Sequence, residues 1–369
     1  MKPFDLSKLR KQVDKSIPGI STGFNDPTTW LDTGCYALNY LISGRFDGGI
    51  PLEGKFTMFA GDSGSGKSYI ATANLVRDCQ KKGIYPIVID TEGGLDESWL
   101  KKFDIATDIE NLWMAKVATV DDTAKFIGMV IDNYRAENDP LPYEQRARML
   151  IIIDSVGMLI TPNQEKQFEE GDQKGDLGLK AKQITNMVRV ALAKIASQPI
   201  GMVCTNHVYA SQDQYKPDTI SGGKMLEYAS SIIVQMNKLL LKEDEEGNKL
   251  VGGEVAGIRS SVVVRKSRYA KPFEKLYINI PYDTGMDPYS GLFDLFEKKG
   301  VIKKDGQRWI YTSPVTGETR KDWRKNFKST GILDQIMEEW EHWEKADDKP
   351  VGVDDTLAAI EGVDGNDAG

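Results

Sequence analysis

Histidine and cysteine are scarce in this chain of 369 residues, which has two histidines, His207 and His342, and three cysteines, Cys35, Cys79 and Cys204. So few, so scattered, they do not compose a zinc site. The cysteines are odd in number, far apart and without C-x-x-C spacing, so no disulfide framework is expected and reduced, buried thiols suit a cytosol. No run of eighteen apolar residues occurs, which excludes a transmembrane helix. The segment Met1 to Gly19 is polar and lysine-dotted and lacks the apolar stretch of a signal peptide. A cytoplasmic protein with no membrane association is therefore expected. Excess positive charge is lacking too: the formal net charge is −8, which taken alone argues against a nucleic-acid binder. The deficit is uneven, however. Residues 344–369 hold eight acids and two bases, so they carry −6 of the −8 and leave the body at −2. A local basic groove remains compatible with that body.

What is present is an ordinary soluble balance, 40% hydrophobic and 28% charged residues, on a chain long enough for one core plus a smaller domain. Five short apolar runs, Phe56–Ala60, Tyr85–Asp90, Met149–Asp154, Gly201–Asn206 and Ser231–Met236, read as strands buried on both faces. Helical periodicity separates them, as at Tyr69–Lys82 and Ala181–Ser197. The alternation predicts an α/β fold with a doubly wound, mostly parallel sheet. Ser260–Arg265 and Lys275–Ile280 read as a hairpin extending that sheet in antiparallel fashion. Beyond Pro281–Pro288 a smaller unit is expected, with helices at Leu292–Lys299 and Ile332–Trp343 and one weak strand near Arg308–Thr312. The tail reads as acidic and disordered. The domain reading is an N-terminal region 1–35, a core 36–285, a small C-terminal domain 286–343 and the tail 344–369.

The strongest local pattern is Gly61-Asp62-Ser63-Gly64-Ser65-Gly66-Lys67-Ser68, a full match to G-x-x-x-x-G-K-[ST] between a strand and a helix. Its glycines let successive N–H groups curl toward phosphate oxygens, and the helix start adds positive potential. Lys67 is expected at the β- and γ-phosphates of ATP and Ser68 on magnesium. Asp154, closing Leu150-Ile151-Ile152-Ile153-Asp154, sits where α/β sheets bind ligands and is expected to hold magnesium through water. The residues alone leave a strand-end cap open for it. Glu92, in Asp90-Thr91-Glu92-Gly93-Gly94, also follows a strand and can orient and deprotonate an attacking water. A solvated loop acid is the other reading.

Taken with Ile20-Ser21-Thr22-Gly23, Ser221-Gly222-Gly223-Lys224 and Lys266-Ser267-Arg268, these segments resemble RecA. Gly285-Met286-Asp287-Pro288-Tyr289-Ser290-Gly291-Leu292 looks closest to the UvsX-type recombinases of tailed phages. The resemblance runs from about Ile20 to Gly300. It implies the RecA-like P-loop ATPase fold and assigns roles. Glu92 matches the catalytic glutamate. Trp99 falls where an aromatic stacks on adenine, or is a core tryptophan. His207 matches a polar sensor of the γ-phosphate, or is a satisfied strand-end residue. Lys266 and Arg268 match a cation pair that reaches a neighbouring protomer's ATP, with arginine standing where RecA has lysine; a solvated hairpin tip is the alternative. Two loops are implied to meet DNA. One runs from Asn163 to Leu179, with Gly171 and Lys174; its composition signals flexibility only. The other runs from His207 to Lys224, with Tyr209, Tyr215, Lys216 and Lys224, and its aromatics and lysines suit a single strand. Compared with RecA, the N-terminal arm is shorter, Phe24–Thr33 looks inserted, and the C-terminal unit is shorter.

The resemblance thus implies an ATP-dependent recombinase forming a homo-oligomeric helical filament on single-stranded DNA and exchanging strands with double-stranded DNA. A single-strand-binding protein and a loading mediator are the implied partners, and the host cytoplasm the place if the chain is phage-encoded. A hexameric DNA helicase of the same fold and an ATP-driven oligomeric regulator without DNA remain as alternatives.

Overall fold

The computed structural model describes residues 5–16, 24, 26–171, 178–209, 219–243 and 254–347. They divide into two compact units, Met1–Pro288 and Tyr289–Gly369. The strands are β1 (Trp30–Leu31), β2 (Ile50–Pro51), β3 (Phe56–Gly61), β4 (Tyr85–Asp90), β5 (Trp113–Lys116), β6 (Met149–Asp154), β7 (Ile200–Tyr209), β8 (Thr219–Ile220), β9 (Ile232–Leu241), β10 (Gly257–Lys266), β11 (Lys275–Pro281), β12 (Ile302–Asp305), β13 (Arg308–Thr312) and β14 (Thr319–Asp322). The helices are α1 (Leu6–Ser16), α2 (Tyr36–Ser43), α3 (Leu75–Lys81), α4 (Glu97–Lys101), α5 (Val120–Asn138), α6 (Pro162–Glu170), α7 (Leu179–Ile195), α8 (Lys224–Ala229), α9 (Leu292–Lys298), α10 (Asn326–Ser329), α11 (Ile332–Glu338) and α12 (Trp340–Asp347).

The larger unit is built on one mixed sheet in the order β11-β10-β9-β3-β7-β6-β4-β5, with β8 paired to β7. From β9 to β5 the pairs are parallel, and β9-β10-β11 is antiparallel. The five apolar runs supply its middle. Every residue of β3 is buried, as are all but the first of β4 and β6, which leaves no polar face to alternate with. Ile127, Ile131 and Tyr134 of α5 and Ile184, Val188, Ala191 and Ile195 of α7 pack into one core cluster with Met58, Ile151 and Met202 of the strands. The apolar spacing of three and four along both helices produces that one buried face.

Several elements differ from the sequence reading. β5 is an added edge strand; it is four residues long with both ends exposed, so it lacks a buried apolar run. The helix after the glycine-rich loop opens as a π-helical turn, Tyr69–Asn74, before α3. There the Asn74 amide donates 2.7 Å to the Thr33 carbonyl and takes up the space against Gly34. Within Phe24–Thr33, β1 pairs with β2. Its preceding residues Thr28 and Thr29 donate to the buried carboxylate of Glu53, both at 2.9 Å. Residues 163–170, taken above as part of a flexible loop, belong to the helix α6. Thr161 Oγ1 accepts from the Gln164 amide and Gln164 Oε1 from the Thr161 amide, a reciprocal cap with Pro162 in the first turn.

The smaller unit holds a three-stranded antiparallel sheet, β12-β13-β14, where one strand was expected. Its core includes Phe296 stacked on Trp340 and Phe293 edge-on to Phe327. The tail from 348 onward lies outside the described residues. Among the described residues no helix is long and apolar enough to cross a membrane.

Candidate functional site

β3 ends at Gly61, where a Cβ would overlap the Met236 carbonyl of β9, so the strand can leave the sheet there only as glycine. Asp62 fastens the turn: its amide donates to Met236 O at 3.2 Å and its carboxylate accepts the Lys238 amide at 3.0 Å. Gly64 and Gly66 adopt φ of 68° and 96°, left-handed values that cost a side chain dearly. The chain then enters the helix at Lys67. Ser63 is exposed on the outside of the turn. Ser65 is fully buried, and its hydroxyl has no hydrogen-bond partner. A buried, unpaired hydroxyl inside a loop of turned backbone fits a loop that takes up an anion.

Lys67 is 6% exposed, and its ammonium folds back onto the loop, donating to Gly61 O at 3.0 Å and Asp62 O at 2.6 Å. Burial pulls its pKa below the ordinary lysine value, against the opposing pull of Asp154, Glu92 and Asp62. Ser68 Oγ, at the helix start after the loop, donates to Asp154 Oδ1 at the end of β6 at 3.2 Å. Thr205 of β7 donates to the same oxygen. Burial raises the Asp154 pKa, the Thr205 and Ser68 hydroxyls counter it, and Glu92 and Asp90 add to the rise. Among the described residues no group of three or more His, Cys, Asp or Glu could hold a metal ion alone. The donor set of one hydroxyl and one carboxylate instead fits a magnesium ion that keeps most of its shell as water and phosphate oxygen.

Glu92 is held over this pair by the turn after β4. Asp90 Oδ1 accepts the amides of Glu92 and Gly93 at 3.0 and 2.8 Å. Thr91 ties the turn to the end of β6, its amide donating to Asp154 O at 2.8 Å and its hydroxyl to Ser155 O at 2.7 Å. His207, level with Gly61 in the β3–β7 register, brings Nε2 to 3.2 Å from Glu92 Oε1 and 3.4 Å from Ser155 Oγ. Lys67, Ser68, Asp154, Glu92 and His207 therefore meet at the carboxyl edge of four neighbouring strands, where open α/β sheets bind ligands.

Trp99, on α4, sits in an aromatic cluster rather than alone. Its ring lies 6.2 Å from Tyr69 and 5.1 Å from Phe103, both edge-on, and Tyr69 packs 5.0 Å from Phe103. Lys266 and Arg268 are not brought to this site. Lys266 pairs with Ile233, and Ile233 with Met58, whereas Gly61 pairs with Met236. Lys266 thus lies about 10 Å back along the strands, toward the opposite edge of the sheet. There its ammonium donates to Glu227 O at 2.9 Å and Tyr228 O at 3.1 Å, carbonyls in the last turn of α8. Arg268 is exposed.

Of the residues expected to meet DNA, Gly171 is the left-handed cap that ends α6, Tyr209 ends β7 and is 64% exposed, and Lys224 opens α8. Lys174, Tyr215 and Lys216 lie outside the described residues. The structure adds a cleft of about 650 Å³ that the sequence reading missed, lined among others by Lys182, Asn186 and Arg189 of α7 and by Gly223 and Lys224. Lys182, Asn186 and Arg189 follow i, i+4, i+7 spacing and are exposed, opposite the buried Ile184, Met187, Val188 and Ala191. That period is the signal that could have found them.

The family model for the RecA N-terminal domain matches residues 9–287. Protein RecA of Streptomyces coelicolor is 26% identical over 341 residues, covering 90% of this chain and 82% of the relative. Protein RecA of Chlorobium chlorochromatii is 26% identical over 312 residues, covering 83% of this chain and 79% of the relative. For Protein RecA of Bifidobacterium breve the identity is 26% over 333 residues, covering 90% and 77%. The matched span 9–287 exceeds half the chain, and it carries both the glycine-rich loop and the acids gathered over it: the chain belongs to the RecA family.

Proposed function

We propose that this chain is an ATP-dependent DNA recombinase that assembles as a helical filament on single-stranded DNA and exchanges strands with double-stranded DNA. The observation that carries the reading is the division of charges between the two edges of one sheet. The phosphate loop, Ser68, Asp154, Glu92 and His207 share the carboxyl edge, while Lys266 and Arg268 lie toward the other. A cation at that distance serves the nucleotide of another copy better than its own, as an arginine finger does.

In this reading the loop Gly61–Ser68 wraps the phosphates of ATP, and Lys67 exchanges its carbonyl partners for phosphate oxygens. Ser68 and Asp154 hold magnesium, which neutralises charge on the phosphates. Glu92 orients the attacking water and takes its proton, and His207, in contact with Glu92, links that base to the strand leading toward the second DNA loop. Trp99, with Tyr69 beside it, offers the face for adenine. Lys182, Arg189 and Lys224 bind the phosphate backbone in the cleft; Tyr209, Tyr215 and Lys216 of the second loop and Gly171 and Lys174 of the first are further DNA contacts in this reading. The segment Gly285–Leu292 supports a UvsX-type member of the family. A doubly wound core, a small C-terminal domain, and accessory single-strand-binding and loading proteins in a host cytoplasm complete the proposal.

Electron microscopy of the chain with ATP and single-stranded DNA, beside a strand-exchange assay, tests this. Open filaments with exchange are expected. Closed rings that unwind duplex would establish the helicase alternative, and nucleotide binding without any DNA affinity the regulatory one.

A further inference from the structure

We propose that Thr205 is a positioning residue for magnesium, acting through Asp154; the proposal rests on the nucleotide reading above. Thr205 lies on β7, one residue beyond Cys204, which pairs with Ile153 of β6, so its side chain falls beside Asp154. It is 0% exposed, deep enough that its hydroxyl must find a partner within the protein. That partner is Asp154 Oδ1, the oxygen that also accepts Ser68 Oγ at 3.2 Å.

Two hydroxyl donors on one carboxylate oxygen do two things. They fix the plane of the carboxylate, whose terminal torsion is otherwise soft. They also leave the second oxygen open: among the described residues Asp154 Oδ2 has no hydrogen-bond partner. Asp90 and Glu92 stand close enough to disfavour a further negative charge at this spot. Donors are what keep a buried carboxylate in place beside like charges. Ser68 cannot do this alone, because it is the residue expected to turn a lone pair to the metal. Thr205 has no such second duty, and it holds Asp154 aimed while Ser68 is engaged. Outer partners of this kind alter metal affinity by about 10–100-fold when removed.

The test is equilibrium binding of a fluorescent N-methylanthraniloyl-ATP to the full chain across a free-magnesium series, with thermal melts to check folding. Thr205→Val keeps the shape and removes the hydroxyl. Its magnesium midpoint should rise by about tenfold or more, while affinity for the nucleotide in excess chelator stays within about twofold of wild type. Thr205→Ser, which keeps the donor, should restore the wild-type midpoint. Should valine prevent folding, Thr205→Ala carries the same expectation. A midpoint within about twofold of wild type in a folded Val or Ala variant overturns the proposal, as does a serine variant as impaired as valine. Failure of the wild-type chain to bind the nucleotide at any magnesium level would instead overturn the nucleotide reading.

Discussion

Lys67 is enclosed by the loop it serves, its ammonium bonded to two carbonyls of that loop. These two bonds hold the ammonium against the turn between Gly61 and Asp62. Glu92 is different: it is 40% exposed, and among the described residues His207 is the one neighbour within 3.2 Å that touches its carboxylate. Glu92→Gln keeps the length and the contact but removes the carboxylate that the proposed function makes the base. Hydrolysis should slow by about two to four orders of magnitude while nucleotide affinity stays unchanged. Single-turnover hydrolysis and an independent binding titration check this, and loss of binding would make Glu92 a structural residue. The site was legible in sequence to the extent that its residue types are fixed by spacing, as in Gly61–Ser68. Thr205 was not legible. A threonine inside an apolar strand looks like any β-branched residue, and only the neighbouring strand reveals that its hydroxyl faces a carboxylate.

Among the elements, α6 shows how composition misleads. Pro162–Glu170 is strongly charged and has no buried residue, so it lacks an apolar stripe and reads as a loop. The stop and start signals were nevertheless present: Thr161, Pro162 and Gln164 at one end and Gly171 at the other. If the reciprocal cap sets the helix, Thr161→Ala should cost about 1 kcal/mol locally. Hydrogen exchange of residues 163–170 should then quicken without a change in exchange across β6. The small sheet was hidden in the same way, since three of four residues in β12 are exposed; yet Asp305-Gly306, with Gly306 at φ of 63°, is a hairpin cue. That sheet is tied to α11 and α12 by the buried Tyr311, which donates 2.6 Å to Glu339 Oε2. Burial pushes the Glu339 carboxyl up, but hydrogen bonds from Tyr311, Gln335 and Ser313 outweigh it and leave it below the usual range. A depressed carboxyl stabilises the fold above its unfolded pKa, and that stabilisation is lost as pH falls through the folded pKa. Tyr311→Phe should therefore destabilise the small unit by about 1–2 kcal/mol at neutral pH. The difference should narrow below pH about 4, in denaturant melts followed across pH.

At the scale of the whole molecule, the proposed filament would have a second copy bring Lys266 and Arg268 to the site. Arg268→Ala should lose DNA-stimulated ATPase, as should Lys67→Ala. Mixing the two inactive chains should restore part of the activity, because some interfaces then join an intact phosphate loop to an intact cation. ATPase measured against mixing ratio should pass through a maximum, and a flat zero line would exclude a shared site. Composition and spacing carry no sign of such assembly; at Lys266-Ser267-Arg268 only the resemblance to RecA implies a cation used by a neighbour. The three cysteines open a route to watch the same molecule come apart. All are 0% exposed, and burial holds the Cys35 thiol up to about 12 and raises those of Cys79 and Cys204 as well. Thiol reagents react with accessible thiolate, so the folded chain offers them no target. Labelling of the native thiols then times the opening of the core, and one cysteine introduced at the exposed Lys303 would take a dye alone, without first stripping the chain of its own.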